Sequence, residues 1–140
     1  MADQSETQET KQEDGAPEEQ KEQKRDHSRL MQDNWDPPTD ATDEQVEAEK
    51  KYIRAAHLFD KGDVDEALML IRGSLALCPS NPKYHYNIAF LYWKKDLLEV
   101  AINHYKLFLR YAPANDKEIP IIKDRVKFID KEIKKRQKPR

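Results

Sequence analysis

One phrase occurs twice in this chain, and its spacing constrains the fold more than any other feature. Lys61 to Asn81 reads "KGDVDEALMLIRGSLALCPSN", and 34 residues later Lys95 to Asn115 reads "KDLLEVAINHYKLFLRYAPAN". Lysine falls on lysine, Asp65 on Glu99, Ala67 on Ala101, Leu75 on Leu109, Pro79 on Pro113 and Asn81 on Asn115. The register extends upstream, where Tyr52 matches Tyr86, Ala55 matches Ala89 and Leu58 matches Tyr92. Within each copy the apolar residues recur at helical spacing: Tyr52, Ala55, Ala56 and Phe59, then Ile88, Leu91 and Tyr92, then Leu98, Ala101, Ile102, Tyr105 and Leu109. Each copy therefore holds two amphipathic helices, with Ala55, Ala67, Ala89 and Ala101 where axes cross closely.

The punctuation between these stretches suits helix ends. Asp63 to Glu66 and Asp96 to Glu99 have the form of capping boxes, as does Thr42 to Gln45, which starts the first helix near Asp43. Gly62 supplies a permissive turn in the first copy, and Asp96 stands in its place in the second, where a slightly different turn is expected. Asn81 caps a helix whose first residue is Pro82. Two copies leave an apolar face open, since a repeat buries its core only against a neighbour. Ile119, Ile122, Val126, Ile129 and Ile133 form one stripe, so a fifth helix over 117–135, capped by Asn115 or Asp116, is predicted to close the stack.

The chain resembles the tetratricopeptide-repeat family, whose unit is a helix-turn-helix of the same 34-residue length. The residues that carry the resemblance are Ala55, Leu58, Gly62, Ala67, Ile71 and Pro79, then Asn87, Ala89, Tyr92, Ala101, Tyr105 and Pro113. It covers Ala48 to Asn115. Departures are Lys51 and His85 at usually apolar positions, and Ser74 and Phe108 where a small alanine is usual, which implies looser packing there. The resemblance implies an all-α right-handed solenoid of about five helices, with repeats at 48–81 and 82–115. It also implies a concave groove lined by the first helix of each repeat. On this chain Tyr52, Phe59, Tyr86, Asn87, Phe90 and Trp93 would line the groove, with Lys83 and Lys94 at its rim. The function implied is a non-catalytic adaptor that binds a peptide or partner helix. Some members grip chaperone C-termini with a clamp of lysine, asparagine and arginine. Tyr52, Ala56 and Ile121 occupy clamp positions here, so that ligand is excluded.

Charge divides the chain. Residues 1–50 hold 16 acidic and 6 basic residues, and residues 51–140 hold 11 acidic and 19 basic, so the net −2 hides opposite halves. Residues 1–41 read as a disordered acidic tail and linker, because so few apolar residues cannot offset the entropy of ordering. Trp35 in "DNWDPPTD" is read either as docking on its own domain or as a motif for a partner, with the first preferred. The basic end, "KKRQKPR" from Lys134 and including 137–140, lacks interleaved aromatics. It reads as a solvated helix end, with nucleic acid or an anionic surface as the lesser alternative and a groove-closing homodimer as a third.

No enzyme is expected. His27, His57, His85 and His104 are scattered, Cys78 is the single cysteine, and only three glycines are present, too few for a phosphate loop. No cofactor or metal is implied. No apolar run is long enough to cross a membrane, and a cytoplasmic location follows from the lone thiol and the missing signal pattern.

Overall fold

The computed structural model describes residues 36–139. Residues 1–35 of the expected tail and linker, Trp35 among them, lie outside the described residues. Among the described residues five helices follow one another: α1 (Asp43–Asp60), α2 (Val64–Leu77), α3 (Pro82–Lys94), α4 (Leu98–Tyr111) and α5 (Ile119–Gln137). Among the described residues there is no strand, and the fold is an all-α helical repeat. α1 packs on α2, α3 on α4, and the two hairpins meet through α2 and α3, with α5 laid against α4.

The alanines that recur at 34-residue spacing explain how the helices approach. Ala55, Ala67, Ala89 and Ala101 are all sealed, at 1% exposure or less, and side chains no larger than methyl let the axes come together there. Ile71, Tyr92 and Tyr105 fill the space beside them, again buried. The isoleucine stripe closes the end of the stack. Ile122 and Ile129 are fully buried against Tyr86, Tyr105 and Phe108, and Ile119, Val126 and Ile133 pack around them.

Both intra-repeat turns use one hydrogen-bond pattern. Asp63 N–H donates to the Leu58 carbonyl and Gly62 N–H to that of Phe59. One repeat later, Leu97 donates to Tyr92 and Asp96 to Trp93. This is the arrangement in which a left-handed residue ends a helix. Gly62 has φ 90 and Asp96 has φ 62, so the second turn matches the first instead of differing from it. A residue with a Cβ is strained in that region. Asp96 has an offsetting role, since its carboxylate takes a two-point grip from Arg136 of α5 at 2.8 and 3.0 Å. Arg136 holds the Asp96 carboxyl below its ordinary range.

That grip also corrects the expected capping boxes. Asp96 serves α5 and not its own helix, and the N-cap of α4 is Leu97, with no side-chain cap. Asp63 is the N-cap of α2 but its side chain bonds no backbone N–H. Thr42 and Gln45 do form the reciprocal box on α1, at 3.1 and 2.9 Å, and the Asn81 side chain caps α3 with Pro82 following it. At α5 the Asp116 carboxylate accepts from Glu118 N–H, 2.8 Å away, and so closes the turn before the helix. The helix accordingly starts at Ile119, two residues later than the stripe suggested, with Pro120 in its first turn.

Ser74 does not loosen its neighbourhood. Its hydroxyl is buried and donates to the Ala48 carbonyl at 2.7 Å, which ties α2 to α1. Phe108, at the equivalent place in the second repeat, is buried against Tyr86, with ring centroids 5.5 Å apart.

The Asp96–Arg136 pair yields a direct expectation. In Asp96→Asn the last turns of α5 should exchange their amide protons faster than in the wild type. The difference should shrink in about 1 M salt, where exposed charges are screened. Hydrogen exchange read residue by residue checks it, and unchanged protection from Ile133 to Gln137 would contradict the clasp.

Candidate functional site

α1, α3 and α5 lie side by side, linked by contacts between their side chains. Glu49 of α1 is buried and accepts from Lys83 Nζ and from the Tyr84 hydroxyl of α3, both at 2.7 Å. Burial, followed by Glu49 itself, drives the Tyr84 hydroxyl well above the usual phenol range, so it stays protonated and donates. Phe59 meets Phe90 edge to face, centroids 5.9 Å apart. On the other flank Trp93 of α3 meets Phe128 of α5 at 6.3 Å, and the Tyr86 hydroxyl donates to Glu118 at 3.2 Å.

This arrangement corrects half of the expected groove. Tyr52 and Asn87 have no exposure, Phe90 has 2% and Tyr86 has 3%, so none of the four presents a surface to an incoming ligand. The reason is the position of α3. Flanked by α1 and α5 and backed by α2 and α4, it buries every residue from Tyr84 to Tyr92. Tyr52 stacks obliquely on Tyr84 with Lys83 Nζ 4.8 Å above its ring. Asn87 donates through Nδ2 to the Lys83 carbonyl at 2.8 Å, one turn back. Its Oδ1 has no hydrogen-bond partner among the described residues.

The other four expected residues keep accessible surface. Phe59, Lys83 and Trp93 are half-buried, and Lys94 is exposed. Lys94 rests its ammonium 5.8 Å from the Phe59 ring centre and 5.9 Å from that of Phe90, and makes no ion pair among the described residues. Lys83 is committed to Glu49 and is a structural strut between α1 and α3.

Two residues of this face were not anticipated. Phe128 lies off the isoleucine stripe and is 57% exposed, an unusual amount of solvent contact for a phenylalanine. Arg125 is buried, with its guanidinium 5.3 Å from the ring centres of both Trp93 and Tyr105 and a 3.3 Å hydrogen bond to the Tyr105 hydroxyl. The signal for Arg125 was present in its spacing, three residues after Ile122 and four before Ile129. Charge suggested solvent, but a guanidinium stacks on rings and hydrogen-bonds while its stem packs.

Burial first, then Glu44 and Glu49, raises the Cys78 thiol, which disfavours the nucleophilic thiolate. Among the described residues no three His, Cys, Asp or Glu side chains converge as a metal site. No helix among them is long and apolar enough to cross a membrane. Comparisons with protein-family models, with curated proteins and with solved structures find no match to this chain.

Proposed function

We propose that this protein is a non-catalytic adaptor of the tetratricopeptide-repeat type, which binds a peptide or partner helix across the face formed by α1, α3 and α5. The observation that carries the reading is the half-buried Trp93 against the exposed Phe128 on the α5 flank, together with Lys94 over Phe59 on the α1 flank, a cation with no ion pair among the described residues. Aromatic side chains give large contact area at small cost in rotamer entropy. A lysine on the same face, over Phe59, favours a ligand that carries a carboxylate as well as apolar side chains. Phe59 extends the apolar strip to α1, and Arg125 backs Trp93 from beneath. The buried Tyr52, Tyr86, Asn87 and Phe90 then act as the support that keeps this strip in place. A cytosol-like, reducing compartment fits the single thiol of Cys78.

The basic end of α5 supports the alternative of an anionic surface less well. Arg136 is engaged by Asp96 and Glu132, and Lys134 by Asp130.

The test is selection of peptides from a displayed library on the full chain, followed by affinity measurement on variants. Phe128→Ala combined with Lys94→Glu should weaken a selected peptide about 30-fold or more, as expected for loss of a central anchor. Both side chains are exposed, so the thermal midpoint should stay close to the wild-type value. Undiminished affinity in the double variant would refute this face as the site. Loss of binding on truncation after Ile133, with steep salt dependence in the intact chain, would favour the charged helix end.

A further inference from the structure

A ladder of rings, headed by a guanidinium, runs from α2 across α3 to α4. The Arg72 guanidinium of α2 lies 5.7 Å from the Tyr92 ring centre and donates to the Tyr92 hydroxyl at 2.9 Å. Tyr92 lies against His104 of α4 with centroids 5.7 Å apart, His104 against His85 of α3 at 5.2 Å, and His85 against Tyr111 at 5.7 Å. At its centre the two imidazoles meet edge on, Nδ1 to Nδ1, at 3.0 Å.

The surrounding bonds fix which nitrogen carries hydrogen. His85 Nε2 lies 2.7 Å from the Pro79 carbonyl oxygen, which only accepts, so Nε2 is protonated. In a neutral His85 the Nδ1 is then a bare acceptor, and the 3.0 Å contact requires that His104 Nδ1 carry the bridging hydrogen. A first proton fits this geometry. It either adds to His104 Nε2, or adds to His85 Nδ1 while the His104 hydrogen moves to its other nitrogen. A second proton does not fit, because both Nδ1 atoms would then carry hydrogen and face each other as two donors on two cations.

We propose that His85 and His104 form a proton-operated latch on the second hairpin, closed while one hydrogen bridges the rings and opened when both rings are protonated. Among the described residues no group facing the pair offsets a second charge. α2 presents Arg72, itself cationic, α3 presents Tyr92, and α4 presents Tyr111. Among the described residues no carboxylate bonds either ring. Burial, then His85, then Arg72, pushes His104 down to about 4, and burial lowers His85 against the opposing pull of the Pro79 carbonyl. Opening has a defined structural consequence. His85 anchors both α4 and the loop between α2 and α3, so its release would loosen the second hairpin and its junction with the first.

The sign follows from the lowered affinities. The unfolded chain takes up protons from its ordinary histidine value of 6.5 downward, whereas folded His104 resists until about 4. Stability from the latch is complete above 6.5 and is lost as pH falls across that window. This holds whether or not the face of α1, α3 and α5 binds a peptide.

The test joins nitrogen-detected imidazole spectra of the full chain with thermal melts of wild type, His104→Gln and the control His57→Gln. At pH near 7.5 the spectra should show hydrogen on Nε2 of His85 and on Nδ1 of His104, with His104 titrating far below the ordinary histidine value. Between about pH 7 and 4.5 the wild type should lose roughly 5–10 °C more than His104→Gln, whose amide cannot take the second proton. His57→Gln should track the wild type. Equal acid sensitivity in wild type and His104→Gln, or two rings titrating independently near the ordinary histidine value, would overturn the latch. If His104→Gln does not fold, the wild-type titration and tautomers decide alone.

Discussion

Replacing Ile129 with alanine is expected to cost about 2–5 kcal/mol, the range for truncating a fully buried aliphatic side chain. Ile129 has no exposure and sits with Ile122 against Tyr105 and Phe108, where α5 covers the second hairpin. The effect is large for two reasons. A chain of this size has a total stability of only about 5–15 kcal/mol, and α5 is the element that takes the end of the stack out of water. Its loosening would expose Leu98, Ile102 and Phe108 together. The melting midpoint should fall by roughly 10–25 °C, and Ile129→Asp should prevent α5 from docking at all, because an unpaired carboxylate at that depth is far more costly than a cavity. Ile133→Ala, at a partly buried position of the same stripe, should cost clearly less. Equal effects at 129 and 133 would mean that α5 is not a cap.

The second large effect is an exchange between equivalent places in the two repeats. Phe108→Ser puts into the second repeat the residue that the first carries at Ser74. It should destabilise the protein by about 3–5 kcal/mol, because Phe108 is 3% exposed and its removal opens a cavity beside Tyr86. Ser74 donates to the Ala48 carbonyl of α1, a bond that links neighbouring helices of one hairpin. Ser74→Ala should therefore cost only about 1 kcal/mol, the net value of one buried hydrogen bond. Chemical denaturation of the three proteins measures both differences. If Phe108→Ser were as mild as Ser74→Ala, the two repeats would be interchangeable at this site, contrary to the structure.

These two residues also mark how far the sequence could be read. The number and order of helices followed from periodicity, because a 34-residue repeat with alanine in phase leaves few other ways to bury its apolar stripes. Asn81 before Pro82, and Thr42 before Gln45, located two helix starts, since those caps are local and need no knowledge of neighbours. Asp63 and Asp96 had the same pattern, yet neither caps. The Asp96 carboxylate is taken by Arg136, 40 residues away, and a local pattern cannot register a long-range competitor.

The face of α1, α3 and α5 was legible in outline and wrong in depth. Helical spacing places Tyr52, Tyr86, Asn87 and Phe90 on apolar sides of α1 and α3, but spacing carries no information on how closely flanking helices cover those sides. Only near the C-terminal ends of α1 and α3 does Phe59, Trp93 or Lys94 reach solvent. Arg125 was hidden for a different reason. Its charge argues for water, while its two ring contacts and its phenol hydrogen bond depend on Trp93 and Tyr105, which reach it from other helices.

The most direct test of the binding face is a map of amide shifts during titration of the full chain with a library-selected peptide. The account predicts saturable shifts at Phe59, Trp93, Lys94 and Phe128, with Met69 on α2 and Val100 on α4 unmoved. Shifts confined to α2 and α4, or no saturable change at Trp93 and Phe128, would contradict it.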